Sequence, residues 1–164
     1  MKKKLNIGFL ISLIGLVSGC ATQVNKTPVI FPENKICAVI PFVNYSETPL
    51  AGESAASITF GVLKSKGYRV KNFFEIKDED LSVKEIKELK KSLKEKGYTC
   101  IVGGYVNEWR YKTGIDGEPA VSVTIYIENP STNSTLSTIT LSSSSWGHKS
   151  ISTLYQELLN GEVK

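Results

Sequence analysis

The sequence predicts an α/β fold: one domain with a mixed sheet of about five strands, in the order βαβαβββα, packed with helices. Three observations predict it. In the first half, three apolar runs are separated by two segments of helical spacing, and a helix between strands suits parallel pairing because parallel strands need a crossover. In the second half, alternating runs are joined by short turns, which requires antiparallel pairing. The chain has 164 residues, the length of one domain and enough to bury a real core. No internal repeat and no second domain are expected.

The first element is a leader. Lys2, Lys3 and Lys4 precede an apolar run from Leu5 to Val17, and Ser18 and Gly19 stand immediately before Cys20. Basic, apolar and small residues followed by cysteine resemble the bacterial lipoprotein signal peptide, which implies removal of residues 1–19 and acylation of Cys20. The run falls short of the ~20 apolar residues a membrane-spanning helix needs. Each buried methylene of an acyl chain adds about 0.8 kcal/mol of membrane affinity. The covalent lipid is the only cofactor expected. The residue after the cysteine is Ala21 and not Asp, a pattern that implies outer-membrane sorting in lipoproteins of the enteric type.

The formal charge of +4 belongs mostly to the leader. Without Met1–Gly19 the chain loses three lysines and no acid, leaving 17 basic and 16 acidic residues, net +1. Such a balance gives no reason to expect a nucleic-acid partner.

Residues 20–34 read as a lipid-anchored tether, with Pro28, Pro32 and no periodicity, and residues 35–164 as the folded domain. Lys35 to Val43 (KICAVIPFV) is β-branched and apolar, a buried strand. Thr48 and Pro49 suit the N-cap and first position of a helix carrying Ala51, Ala55, Ile58 and Val62 on one face and closed by Gly67. Tyr68 to Phe74 is a second strand. Ser82 and Glu85 form a capping box with Leu81 and Ile86 as its hydrophobic staple. The helix that follows has a stripe of Val83, Ile86, Leu89 and Leu93, lysines and glutamates on its other faces, and Gly97 at its end. Tyr98 to Trp109 is a long strand in which Gly103-Gly104 marks a bulge or a close backbone approach. Asp116-Gly117 signals a hairpin. In the next strand Val121, Val123, Ile125 and Ile127 face one way, and Ser122, Thr124, Tyr126 and Glu128 the other. Thr135 to Ser145 is a Ser/Thr-rich strand with Leu136, Ile139 and Leu141. Ile151, Leu154, Tyr155 and Leu158 define a terminal helix.

No catalytic grouping emerges. His148 is the only histidine and stands near Ser143, Ser144 and Ser145, but no nucleophile elbow or orienting acid accompanies it. Asp116 and Glu118 are spaced like a carboxylate pair, but turn formation accounts for Asp116-Gly117. Asp78-Glu79-Asp80 precedes a helix, where acids complement the dipole. Metal ligation has no suitable cluster. Cys37 and Cys100 lie in apolar strand-like runs, compatible both with buried thiols and with the disulfide an oxidising periplasm permits. Trp109 is compatible with core packing or with an interface, and Trp146, between serines and glycine, is a candidate for the membrane belt.

The run Glu108-Trp109-Arg110-Tyr111-Lys112-Thr113-Gly114-Ile115-Asp116-Gly117-Glu118-Pro119-Ala120-Val121 resembles the signature of the PelC-like outer-membrane lipoproteins of Pel exopolysaccharide export. The resemblance continues in Ala38-Val39-Ile40-Pro41-Phe42-Val43-Asn44, the Ala-rich helix with Gly67-Tyr68, and Trp146-Gly147. The Ala38–Asn44 opening is shared with the amino-terminal domain of TolB and with the curli channel CsgG, so it speaks to fold. The resemblance implies a non-enzymatic, homo-oligomeric ring beneath the outer membrane, partnered with a PelB-like barrel and guiding a partly cationic polysaccharide. On that basis Arg110, Tyr111, Asp116 and Glu118 are expected to maintain the oligomer interface or its supporting hairpin, and Trp146 to contact the inner leaflet. The alternative is a monomeric lipoprotein that activates a periplasmic cell-wall enzyme in the manner of LpoB.

Overall fold

In the computed structural model the described residues are 22–28, 31–32, 34–74, 78–112, 117–145 and 149–163. They form β1 (Thr22–Lys26), β2 (Cys37–Val39), β3 (Val43–Asn44), α1 (Ala51–Ser65), β4 (Val70–Asn72), α2 (Val83–Glu95), β5 (Ile101–Tyr111), β6 (Pro119–Asn129), β7 (Ser134–Ser144) and α3 (Ile151–Glu162). The strands make one mixed sheet in the order β1-β7-β6-β5-β2-β4, with β3 also paired to β5. β4, β2 and β3 run parallel to their partners, and β5, β6, β7 and β1 form an antiparallel meander.

The α/β class and the mixed sheet agree with the expectation, but the sheet has seven strands and not about five. One addition arises because the first apolar run splits. Pro41 has no N–H to donate to a ladder, and Phe42 N donates to Gly52 O, outside the sheet. The other addition is β1, which occupies part of the expected tether. Val24 lies opposite Leu141 and packs on the core, while Thr22, Gln23, Asn25 and Lys26 are exposed. Pairing there satisfies the outer edge of β7, whose backbone groups a bare edge strand would leave open.

Both crossover helices end in the same way. Leu63-Lys64-Ser65-Lys66-Gly67-Tyr68 and Leu93-Lys94-Glu95-Lys96-Gly97-Tyr98 are nearly the same in sequence. Tyr68 N donates to Leu63 O and Tyr98 N to Leu93 O, both at 3.0 Å, with Gly67 at φ 87° and Gly97 at φ 84°. These are Schellman turns, and the left-handed residue is glycine in each because a Cβ is penalised there.

The start of α1 differs from expectation. Thr48 does not cap it: its Oγ1 donates to Trp109 O. The N-cap is Leu50, at φ 59° and without a side-chain cap of its own. Asp80 takes that role from a distance. Its carboxylate accepts from Leu50 N at 2.8 Å, Gly52 N at 3.3 Å and Asn44 Nδ2 at 2.8 Å. Asp80 thus complements the N-terminus of α1, not that of the helix following it in sequence. The capping box of α2 is present as expected, with Ser82 N donating to Glu85 Oε2 at 2.8 Å and Glu85 N to Ser82 Oγ at 3.3 Å. Ile86 and Leu93 of its stripe are buried, whereas Val83 is exposed and Leu81, from the segment before the helix, packs on that cluster. In α3 the deepest residue of the last turns is Leu159, with Leu158 half-buried.

Two cores result. α1 and α3 cover one face of the sheet, packing on Val39, Phe42, Val102, Val106, Val123, Ile125 and Leu141 among others. α2 covers only part of the other face, over Ala38, Ile40, Val43 and Ile101. Trp109 is buried on the first face, with its ring 5.6 Å from and edge-on to Tyr155, which hydrogen-bonds Thr59 at 2.7 Å. Gly104 is a close-approach position: a Cβ there would sit 2.6 Å from the Phe42 ring. The bulge of β5 falls instead between Val106 and Glu108. Cys37 and Cys100 form a disulfide, with Cα atoms 4.6 Å apart across the paired starts of β2 and β5.

Candidate functional site

Three of the residues singled out in the sequence lie at one end of the sheet. Arg110 and Tyr111 end β5, opposite Ala120 and Pro119 of β6, and Lys112 N donates to Glu118 O at 2.6 Å across the base of the hairpin. Thr22 is at the same end, opposite Ser143, with their hydroxyls 2.9 Å apart, and Ser145 N donates to Pro119 O at 3.1 Å. Arg110 Nε meets Glu108 Oε1 at 2.9 Å on its own strand. Tyr111 is 51% exposed and Glu118 is half-buried. Cys20, Asp116, Trp146 and His148 lie outside the described residues. In the sequence Cys20 stands two residues before Thr22, the first residue of β1.

Two of the described groups that could carry catalytic chemistry, Ser143 and Asp80, have structural roles. Ser143 is buried and bonded to Thr22. Asp80 caps α1, and Asp78 and Glu79 are exposed. Among the described residues no group of three or more histidine, cysteine, aspartate or glutamate side chains is placed to hold a metal ion. No helix among them is long and apolar enough to cross a membrane.

The larger feature is the part of the second face that α2 leaves bare. Because alternate residues of a strand face opposite ways, the neighbours of the buried Val121, Val123, Ile125 and Leu141 appear here as rows across four strands. One row runs Gln23, Ser142, Ser122, Glu108; the next runs Asn25, Thr140, Thr124, Tyr105. Hydroxyls pair within them, Ser122 with Ser142 at 2.8 Å and Thr124 with Thr140 at 3.0 Å, and Asn107 on the bulge donates to Thr124 at 3.2 Å. Such a face satisfies its own polar groups and needs no covering helix.

Tyrosines border these rows. The Tyr45 and Tyr105 rings are stacked, 5.9 Å apart and within 9° of parallel, and Tyr105 meets Tyr126 at 5.5 Å. Lys90 lies 4.5 Å over the Tyr126 ring and pairs with Glu128 at 2.9 Å. Burial above all, then the nearby Glu128, Tyr105 and Tyr45, hold the Tyr126 hydroxyl above the ordinary phenol range, so it stays neutral and protonated. Next to Tyr45 an open groove of about 600 Å³ is lined by Ser46, Glu47, Asn107, Glu108, Arg110 and Ser122. Sequence reasoning separated the two sides of β6 but gave the polar side no role, and it missed Tyr45, Glu47, Asn107 and Tyr105. Ser122, Thr124 and Tyr126 alternate along β6, and Thr138, Thr140 and Ser142 alternate along β7. That matched spacing of hydroxyls on adjacent strands is the signal that could have found this face.

Comparison with solved structures gives a consistent family resemblance. A PelC dodecamer from Paraburkholderia phytofirmans is 28% identical, with a TM-score of 0.70, over 86% of this chain and 94% of that one. A single-substitution variant of the same dodecamer is 27% identical, with a TM-score of 0.71 and the same coverage. Lipoprotein GNA1162 from Neisseria meningitidis, at 16% identity and a TM-score of 0.55 over 78% of this chain and 94% of that one, shares the fold. No protein-family model matches the chain, and no curated protein does. In fold and sequence the chain is PelC-like, as the Trp109–Val121 motif implied.

Proposed function

We propose that this chain is a non-enzymatic lipoprotein, acylated on Cys20 and anchored to the periplasmic face of the outer membrane. It assembles into a homo-oligomeric ring that guides an exopolysaccharide of the Pel type to a PelB-like outer-membrane barrel. The observation that carries the reading is the similarity to PelC dodecamers along 86% of the chain. A closed ring requires a heterologous interface repeated about an axis. Arg110, Tyr111, Asp116 and Glu118, in or next to the β5–β6 connection, are the residues assigned to that interface or to its support. Trp146 is assigned to the inner leaflet. β1 supports this, because it ties the anchor to the sheet end where β7 finishes, one residue after which stands Ser145, the neighbour of Trp146. A cationic polymer would be concentrated by acidic side chains at the ring mouth.

The same short leash disfavours the LpoB-like activator, which must reach across the periplasm. Only Cys20 and Ala21 precede β1 in the expected mature chain. The test is the mass of the lipidated protein in mild detergent, by light scattering coupled to size exclusion. A discrete high-order oligomer is expected; a monomer that stays monomeric with outer-membrane lipid and the barrel present would overturn the ring.

A further inference from the structure

We propose that the exposed face of Tyr45 is the stacking platform of a binding site for a pyranose polymer bearing amino groups, in the groove between the Asn44–Thr48 loop and the end of β5. This inference rests on the export reading above and gives its polymer a point of contact. Tyr45 is 63% exposed although one side of its ring stacks on Tyr105, so the opposite side is open. The face of an aromatic ring carries the negative part of its quadrupole, which attracts the weakly positive C–H groups on the flat side of a sugar ring.

The platform is already positioned. Asn44 Oδ1 accepts from Ser46 N at 2.9 Å and from Ser46 Oγ at 2.7 Å, and Asn44 Nδ2 donates to Thr48 O at 2.7 Å. The Thr48 hydroxyl fastens the loop to β5. Binding therefore does not have to order the loop, which removes a cost that weakens flexible sites. The groove beside the ring supplies the rest of the chemistry. Asn107 and Ser122 match sugar hydroxyls as donors and acceptors. Glu47 and Glu108 present carboxylates to an ammonium group, with Glu108 shared with Arg110.

The experiment is calorimetric titration of the lipidated protein in mild detergent with a glucosamine hexasaccharide and, separately, with the uncharged cellohexaose. Tyr45→Ala is expected to weaken the glucosamine oligomer about tenfold, the size of one lost stacking contact, and Tyr45→Phe to stay within about twofold. Glu47→Gln is expected to weaken the glucosamine oligomer and leave cellohexaose unchanged. Wild-type protein that binds neither oligomer, or Tyr45→Ala with wild-type affinity, overturns the platform. A Tyr45→Ala protein of altered oligomer mass also overturns it, because the ring would then be a contact between subunits. Polymer secretion in cells separates this inference from the reading beneath it. Secretion lost on deleting the chain but normal with a folded Tyr45→Ala overturns the platform alone. Secretion that survives deletion overturns the export role.

Discussion

The two faces of the sheet are built from the same strands and have opposite characters. On one, α1 and α3 close over Val102, Val106, Trp109, Val121, Val123, Ile139 and Leu141. On the other, α2 covers the parallel strands and stops, leaving Ser122, Thr124, Ser142 and Thr140 to pair with one another beside three tyrosines. The difference shows how one alternating strand serves two purposes. Apolar side chains gain by leaving water wherever a helix can cover them. Where none does, paired hydroxyls remain compatible with solvent and available to a ligand, without presenting an apolar patch that would aggregate.

Neighbouring residues on β7 break the comparison most directly. Leu141→Ala, on the closed face, is expected to cost about 2–5 kcal/mol through lost burial and the cavity left behind. A urea midpoint within error of wild type would mean that the closed face does not carry the core.

An intermediate effect is expected at alkaline pH. Tyr155 on the closed face and Tyr126 on the bare one both have hydroxyl pKa values raised, chiefly by burial, above the ordinary value of 10.0. Their contribution to stability is complete below pH 10. Above it the unfolded chain releases phenolic protons that the folded chain retains, so stability falls by up to about 1.4 kcal/mol per pH unit for each tyrosine. Tyr155→Phe and Tyr126→Phe should each make the decline between pH 10 and 11 shallower in denaturant titrations. A decline unchanged in Tyr126→Phe would mean that solvent reaches its hydroxyl and that the tyrosine cluster is looser than described.

The smallest effect is expected next to Leu141. Thr140→Ala removes one member of a solvated hydroxyl pair and should change stability by no more than about 0.5 kcal/mol. A loss comparable to that of Leu141→Ala would show that the bare face is covered in the assembled protein, most simply by a neighbouring subunit.

Much of this division was legible from residue spacing. The alternation in Ala120–Glu128 separated the two sides of β6, and the capping box at Ser82 located α2 to the residue. Both are local signals, repeated every two residues or contained within one turn. Thr22–Lys26 could not be read as a strand, because its polar sequence gains order only from the open edge of β7, more than a hundred residues away. Asp80 was misread for the same reason: its nearest helix in sequence is α2, and its nearest orphan N–H groups are those of α1. The candidate groove was the least legible part, since Tyr45, Asn107 and Ser122 come from three separate segments.

By itself the sequence determined the three helices, five of the strand regions, the α/β class and the PelC-like resemblance, because glycine stops, strand alternation and a continuous motif are all written in near neighbours. Only the tertiary structure decided whether Cys37 and Cys100 pair, which acid caps which helix, where β1 docks and which tyrosines stack. Each of these depends on groups distant in the chain finding partners whose proximity exists only once the sheet has assembled.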